Sequence, residues 1–184
     1  MRSYGKIKLS AQSDPEWRQL SHTAQWLYWA LVGSEKLSAC GVIEWRPKLF
    51  AALSPTLNAA GVESALDELR AKKYVVLDEE TDELLLRSFI RNDDVVSNKN
   101  MMVSVVKAWR MIYSLRLRGV VVHELLRLKA EHGQYAIWEH PEMIDAIKRT
   151  QPVNVFELDA PDDDVDSNFE ELTASGWGRS KSSF

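Results

Sequence analysis

Apolar residues recur along this chain at spacings that change, and each change marks an element. Between Ser21 and Val32, Leu27 and Leu31 recur at helical spacing while Ala24, Tyr28 and Val32 widen the stripe. That pattern predicts a helix capped by Ser21 and stopped by Gly33 and Ser34. Before it, Asp14-Pro15-Glu16-Trp17 predicts an N-cap followed by proline at the first helical position, where the missing N–H costs nothing. Gly5 to Ser10 alternates Ile7 and Leu9 with Lys6 and Lys8, which suits a short strand, and Gly41 to Trp45 is β-rich. Pro47 restarts a helix containing Leu49, Phe50 and Leu53, and Ser54-Pro55-Thr56 breaks it. Asn58 then caps a helix from Ala59 to Lys73 with Val62, Ala65, Leu66 and Leu69 inward. Lys72 and Lys73 stand in its last turn, where cations complement the helix dipole.

After Lys73 the period shortens. Tyr74 to Leu77 reads as a strand, Asp78 to Glu83 as a polar turn, and Leu84 to Ile90 as a second strand, so together they predict a β-hairpin. The order helix, short strand, helix, turn, helix, strand, strand is that of a winged helix-turn-helix. Residues 101 to 118 then read as one amphipathic helix. Its apolar face is Met102, Val105, Val106, Trp109, Ile112, Tyr113 and Leu117, and its polar face is Lys107, Arg110, Ser114 and Arg118. Arg116 falls in the apolar sector, so it must snorkel or meet a carboxylate. Gly119 is expected to separate this helix from one over Val120 to Glu131, and Asp145 to Arg149 closes a last helix after Pro141.

Charge changes the picture. The chain of 184 residues carries a formal net charge of −4, an ordinary composition for a globular domain. The charge is uneven. Residues 157 to 184 hold eight acids against Arg179 and Lys181, whereas residues 99 to 129 hold seven bases against Glu124. The acidic end is poor in aliphatic residues and is expected to be a disordered tail. The expected domains are a winged helix-turn-helix over 1–94, a helical extension over 95–150 and the tail over 151–184. The fold class is therefore mainly α with a small β-hairpin.

Several stretches carry a family resemblance. They are Trp17 to Leu31, Cys40-Gly41-Val42-Ile43-Glu44-Trp45-Arg46, Ala65-Leu66-Asp67-Glu68-Leu69, and the hairpin from Tyr74 to Phe89. Over about Tyr4 to Asp94 the chain resembles the winged helix-turn-helix proteins of bacteriophages and their hosts, often tied to replication initiation or primosome loading. The resemblance implies double-stranded DNA as partner, contacted by the helix after the turn with help from the hairpin.

The residues test that implication unevenly. Readers of base edges are usually Arg, Lys, Asn or Gln. On the helix after the turn only Asn58 and Ser64 stand near the N-terminal end, and Asn58 has a simpler role as cap. Arg70 reaches a phosphate at best. The hairpin tip holds Asp78, Glu79, Glu80, Asp82 and Glu83, which repel phosphate; it is expected to be a solvated tip or a contact for a basic protein partner. Arg46 and Lys48 flank the helix that crosses the DNA backbone in this fold. Lys72, Lys73, Arg87, Arg91 and Lys99 follow along the chain, and Lys107, Arg110 and Arg118 are expected to form a basic stripe. DNA is thus expected to be held through phosphates, with transcription control or replication as the role. The alternative is a non-enzymatic protein-interaction module using the same fold, with the hairpin or tail as docking element. Homodimerisation is a further expectation, because winged-helix proteins commonly read paired half-sites.

Other chemistry finds no motif. No Gly-x-x-x-x-Gly-Lys, Gly-x-Gly-x-x-Gly or His-Glu-x-x-His occurs, and His22, His123, His132 and His140 are scattered. Cys40 reads as a small buried residue rather than a nucleophile. No enzyme activity, cofactor or metal is expected. No run approaches a membrane span and no secretory leader is evident, so the expected location is cytoplasmic. Among seven tryptophans, Trp26, Trp29 and Trp109 read as core, and Trp45 beside Arg46 is the one candidate for base stacking.

Overall fold

Helices begin in this chain where a side-chain oxygen takes an N–H that the first turn leaves unpaired. Asp14 accepts from the Glu16 amide at 2.9 Å and opens α1 (Pro15–Arg18). Ser21 accepts from the Ala24 amide at 3.1 Å and opens α2 (His22–Val32). Asn58 accepts from the Gly61 amide at 2.8 Å and opens α4 (Ala59–Ala71), while α3 (Pro47–Ala51) starts on proline alone. A computed structural model describes residues 12–92 and 99–157. The strand expected over Gly5 to Ser10 and the acidic residues from 158 onward lie outside those residues.

The C-terminal end of α4 is closed by backbone. Lys73 adopts φ 59°, which lets its amide donate to Arg70 O at 2.9 Å and the Tyr74 amide donate to Leu69 O at 2.9 Å. The chain then enters β2 (Val75–Asp78) and returns in β3 (Glu83–Leu86). With β1 (Val42–Glu44) these form a three-stranded antiparallel sheet in the order β1-β3-β2. The register pairs Val42 with Leu85 and Leu85 with Val76, and pairs Ile43 with Leu84 and Leu84 with Leu77.

Both faces of this sheet are buried. Ile43, Val75, Leu77, Leu84 and Leu86 pack into a core with α1, α2, α3 and α4. Val42, Val76 and Leu85 pack, with Cys40, into a second core built by the C-terminal helices. Those helices are α5 (Phe89–Asn92), α6 (Lys99–Arg110), α7 (Leu115–Glu131) and α8 (Pro141–Arg149), with a 3-10 turn at Ala136–Glu139. The hairpin is therefore a shared wall between two helical layers. Its unbroken runs Val75-Val76-Leu77 and Leu84-Leu85-Leu86 fit a sheet covered on both sides, whereas a half-exposed sheet would alternate.

Four sequence expectations need correction. The second hairpin strand stops at Leu86 rather than Ile90, because both partners run out there: Val75 is its last pair in β2, and Leu86 donates to Gly41 O at 2.8 Å where β1 has not yet begun. Gly41 sits at φ 84°, and a Cβ on it would lie 2.8 Å from the Cβ of Phe89, so the chain turns into α5 against a bare backbone. The single helix expected over 101–118 is two helices. Ser114 breaks it by accepting from the Leu117 amide at 3.0 Å, which resets the phase and leaves Tyr113 79% exposed. Gly119 separates nothing; it lies inside α7, where its carbonyl accepts from Val153 N at 3.0 Å. Residues 151–157 accordingly belong to the folded body and not to a tail, since Val155 is 3% exposed in the second core.

Candidate nucleic-acid interface

The hairpin tip is held inward by two of its five carboxylates. Glu83 accepts from the Tyr113 amide at 3.1 Å and from the Ser114 amide at 2.8 Å. Asp78 accepts from the Ser114 hydroxyl with one oxygen and from the Glu80 and Thr81 amides, at 3.0 and 3.3 Å, with the other. The Ser114 hydroxyl, with those amides, holds the Asp78 carboxyl below its usual range. A third acid, Glu79, meets Arg70 at 3.1 Å. The expectation of a solvated acidic tip is therefore corrected: Glu80 and Asp82 face solvent, and Asp78 and Glu83 fasten the hairpin to the start of α7.

The candidate contact residues divide by what each already holds. Arg87 is turned inside. Its Nε donates to Lys73 O at 2.7 Å, a terminal nitrogen meets Glu124 at 3.4 Å, and its guanidinium lies 5.0 Å from the Phe156 ring centroid. Glu124 is itself buried in α7 and also meets Arg127 at 3.3 Å. Arg118 folds back on the break between α6 and α7, donating to Ile112 O at 2.7 Å and Arg110 O at 3.1 Å over the face of Trp109. It thereby takes up carbonyls that the end of α6 leaves unpaired. Arg91 meets Glu131 at 3.2 Å, Arg110 meets Glu142 at 3.5 Å, and Lys72 donates to Gln19 at 3.0 Å. Lys99 opens α6, and its side chain lies outside the described set. The expected stripe of Lys107, Arg110, Ser114 and Arg118 does not form one face, because the phase reset buries Ser114 and turns Arg118 inward; Lys107 stays exposed.

Among the described residues, two clusters of the candidate cations lie at the surface. At the start of α3, Arg46 and Lys48 border a shallow depression with Trp45, Pro47, Leu49 and Asp82. Arg46 is exposed and paired with Glu44, which holds the guanidinium above its usual range and is itself held below its own. Trp45 is 8% exposed and stacks on Phe50 with centroids 5.5 Å apart, so it packs the core instead of offering a ring to a base. Trp26, Trp29 and Trp109 pack as expected. The second group is Arg70, Lys73 and Arg116, which line a cleft of about 230 Å³ along the outer edge of β2 with no carboxylate in its lining.

Arg116 is the surface cation that sequence reasoning missed. Placed on one continuous helix it fell among apolar residues; after the reset at Ser114 it is exposed at the start of α7. Asn58 spends its carbonyl oxygen on the cap, and the outward face of α4 shows Ala60, Glu63, Ser64, Asp67 and Ala71. Among the described residues no group of three or more His, Cys, Asp or Glu is placed to hold a metal, and no helix is long and apolar enough to cross a membrane. Comparison with protein-family models, curated proteins and solved structures finds no match.

Proposed function

We propose that this chain is a winged-helix DNA-binding protein of the phage and bacterial type. In this reading it acts without catalysis in replication initiation or transcription control, and grips duplex DNA by its phosphates. The supporting observation is the sequence α2, β1, α3, α4, β2, β3 closed by an antiparallel sheet in the order β1-β3-β2. In helix-turn-helix docking the helix before the reader crosses the DNA backbone. Here that helix is α3, and its start carries Arg46 and Lys48 with exposed side chains. The outward acids Glu63 and Asp67 on α4 oppose tight base reading, so sequence preference is weak and affinity is strongly salt-dependent.

The test is fluorescence anisotropy with duplex and single-stranded DNA across a salt series. Arg46→Ala with Lys48→Ala should flatten the slope of log affinity against log salt by roughly one to two units. An unchanged slope, or no duplex binding at low salt, refutes the reading. A second reading, a protein-docking module, is favoured by a specific observation. Met111, Tyr113 and Leu115 are 72%, 79% and 77% exposed beside the acidic hairpin tip, a run of large apolar side chains in solvent. Absence of DNA binding would leave that reading standing.

A further inference from the structure

The cleft beside β2 has a direction. Val155 forms part of its wall, together with Arg70, Lys73, Val75, Leu77 and Arg116. A second depression continues along the same edge, sharing Arg70, Leu77 and Arg116, and runs past Tyr113 and Leu115 to Glu79 and Glu80 at the hairpin tip. β2 is an outer strand of the sheet, so its free edge faces this groove. Lys73, Arg70 and Arg116 thus stand toward the Val155 end, with Arg70 and Arg116 at the junction of the two depressions, while the second depression sets Tyr113 and Leu115 beside Asp78, Glu79 and Glu80, where Glu79 meets Arg70 at 3.1 Å.

The chain itself leaves the described structure at the Val155 end. Val155 is fixed in the core, and Phe156 lies against Arg87. Asp159 follows four residues after Val155, within at most about 14 Å of extended chain. Residues 158 to 184 hold seven acids and two bases. Asp159, Asp162, Asp163, Asp164 and Asp166 come first; Phe169, Glu170, Glu171, Leu172 and Trp177 follow. The aspartates are thus the part of the segment nearest the cations beside Val155, and the apolar side chains come later.

We propose that residues 158–184 dock in this groove within the same molecule. The aspartate run lies against Arg70, Lys73 and Arg116, and Phe169 and Trp177 reach toward Tyr113 and Leu115. The short connection raises the local concentration of the segment to the order of millimolar, so a weak contact suffices to fill the groove. Arg70 is part-exposed and already shared with Glu79 and Asp67 at 3.1 and 3.7 Å. Exposed pairs of that kind are weak and exchange readily for the incoming aspartates. The proposal stands without the DNA reading.

The test uses the full chain with no DNA. Cys40 is wholly buried, so Ser167→Cys gives a single site for a nitroxide label. Amide signals of residues 70–77 and 113–117 should be lost with the oxidised label and return on its reduction. They should also persist at high salt, where charge pairing is screened. Asp162→Asn, Asp163→Asn, Asp164→Asn and Asp166→Asn together should restore the signals at low salt. Arg70→Glu with Arg116→Glu should do the same while the rest of the amide spectrum stays in place. Intact signals in the labelled chain, losses centred elsewhere, or losses that survive the asparagine substitutions overturn the proposal. So does a sample mixing isotope-labelled unmodified chain with spin-labelled chain, if the losses occur there, because the occupant is then a second copy.

Discussion

Replacing Gly119 with alanine sets two physical effects against each other, and the structure decides between them. Gly119 lies inside α7, and glycine to alanine in a helix interior is worth about 1 kcal/mol in favour of the fold. The added Cβ, however, would stand 2.5 Å from Val153 Cγ2 and 2.8 Å from the backbone oxygen of Gln151. Carbon atoms pack best at about 3.5–4.0 Å, so both contacts are repulsive. The Val153 methyl can rotate; the Gln151 carbonyl moves only with its chain. Overpacking of this kind costs about 1–3 kcal/mol, and a backbone clash belongs near the top of that range. The escape route is no cheaper. Lifting residues 151–155 off α7 breaks the Val153 to Gly119 hydrogen bond, worth about 1 kcal/mol, and exposes Val155, worth about 1.5–3 kcal/mol. The expected net loss is therefore about 2 kcal/mol, seen by thermal or urea unfolding. For a chain of this size that is a fall in Tm of roughly 4–8 °C. Val153→Ala removes one clash and leaves the other, so in the double variant Gly119→Ala should cost less than it does alone. A rise in Tm, or no change, would refute the packing argument and leave helix propensity as the ruling effect.

Other positions give outcomes as definite. Ser114→Ala removes the cap of α7 and the donor to Asp78 together, and should cost about 1–2 kcal/mol by urea unfolding. The folded Asp78 carboxyl titrates below its unfolded value, so its contribution is complete above about pH 3.9 and disappears as pH falls through the folded pKa. The stability gap between the parent and Asp78→Asn should accordingly close on acidification; a gap that stays constant with pH would contradict that cause. Glu124→Ala leaves Arg87 buried without its carboxylate and should cost about 3 kcal/mol or more. A loss below about 1 kcal/mol would mean that the pair behaves as a surface one.

Local spacing carried most of the fold. The stripes in α2 and α4, the caps Ser21 and Asn58, and the hairpin order all follow from contacts within a few residues. What spacing concealed came from farther along the chain. Ser114 fits the polar face of one long helix as well as it fits a cap, and nothing local separates the two; Glu83, 31 residues earlier, receives its amide and stabilises the break. Arg87 looked available because no acid stands near it along the hairpin strand, while its partner Glu124 is 37 residues distant. Arg110 and Arg91 likewise meet acids from other helices. Arg116 went the other way: a wrong helical phase hid an exposed cation. The double burial of the hairpin was legible in Leu84-Leu85-Leu86, where no polar residue interrupts the run.

Charge counted along a segment and charge shown at a surface are different quantities, and this chain separates them. Residues 99–129 hold seven bases, yet Arg110, Arg118 and Arg127 are spent on Glu142, on backbone carbonyls and on Glu124. Lys107, Arg116 and Lys129 are exposed without an ion pair among the described residues. The hairpin shows the converse. Its five carboxylates look like a phosphate-repelling tip, but Asp78 and Glu83 are there to receive the start of α7, and Glu79 is neutralised in part by Arg70. Acidity required by the fold says nothing against a nucleic-acid partner elsewhere on the surface. On the DNA reading proposed above, it also bears on where the duplex would lie. A hairpin whose two faces are covered and whose tip is tied to α7 has no freedom to enter a groove of DNA. On the same reading, contact would fall instead to the surface cations away from the hairpin tip, at the start of α3 with Arg46 and Lys48 and on the open flank of β2 with Arg70, Lys73 and Arg116.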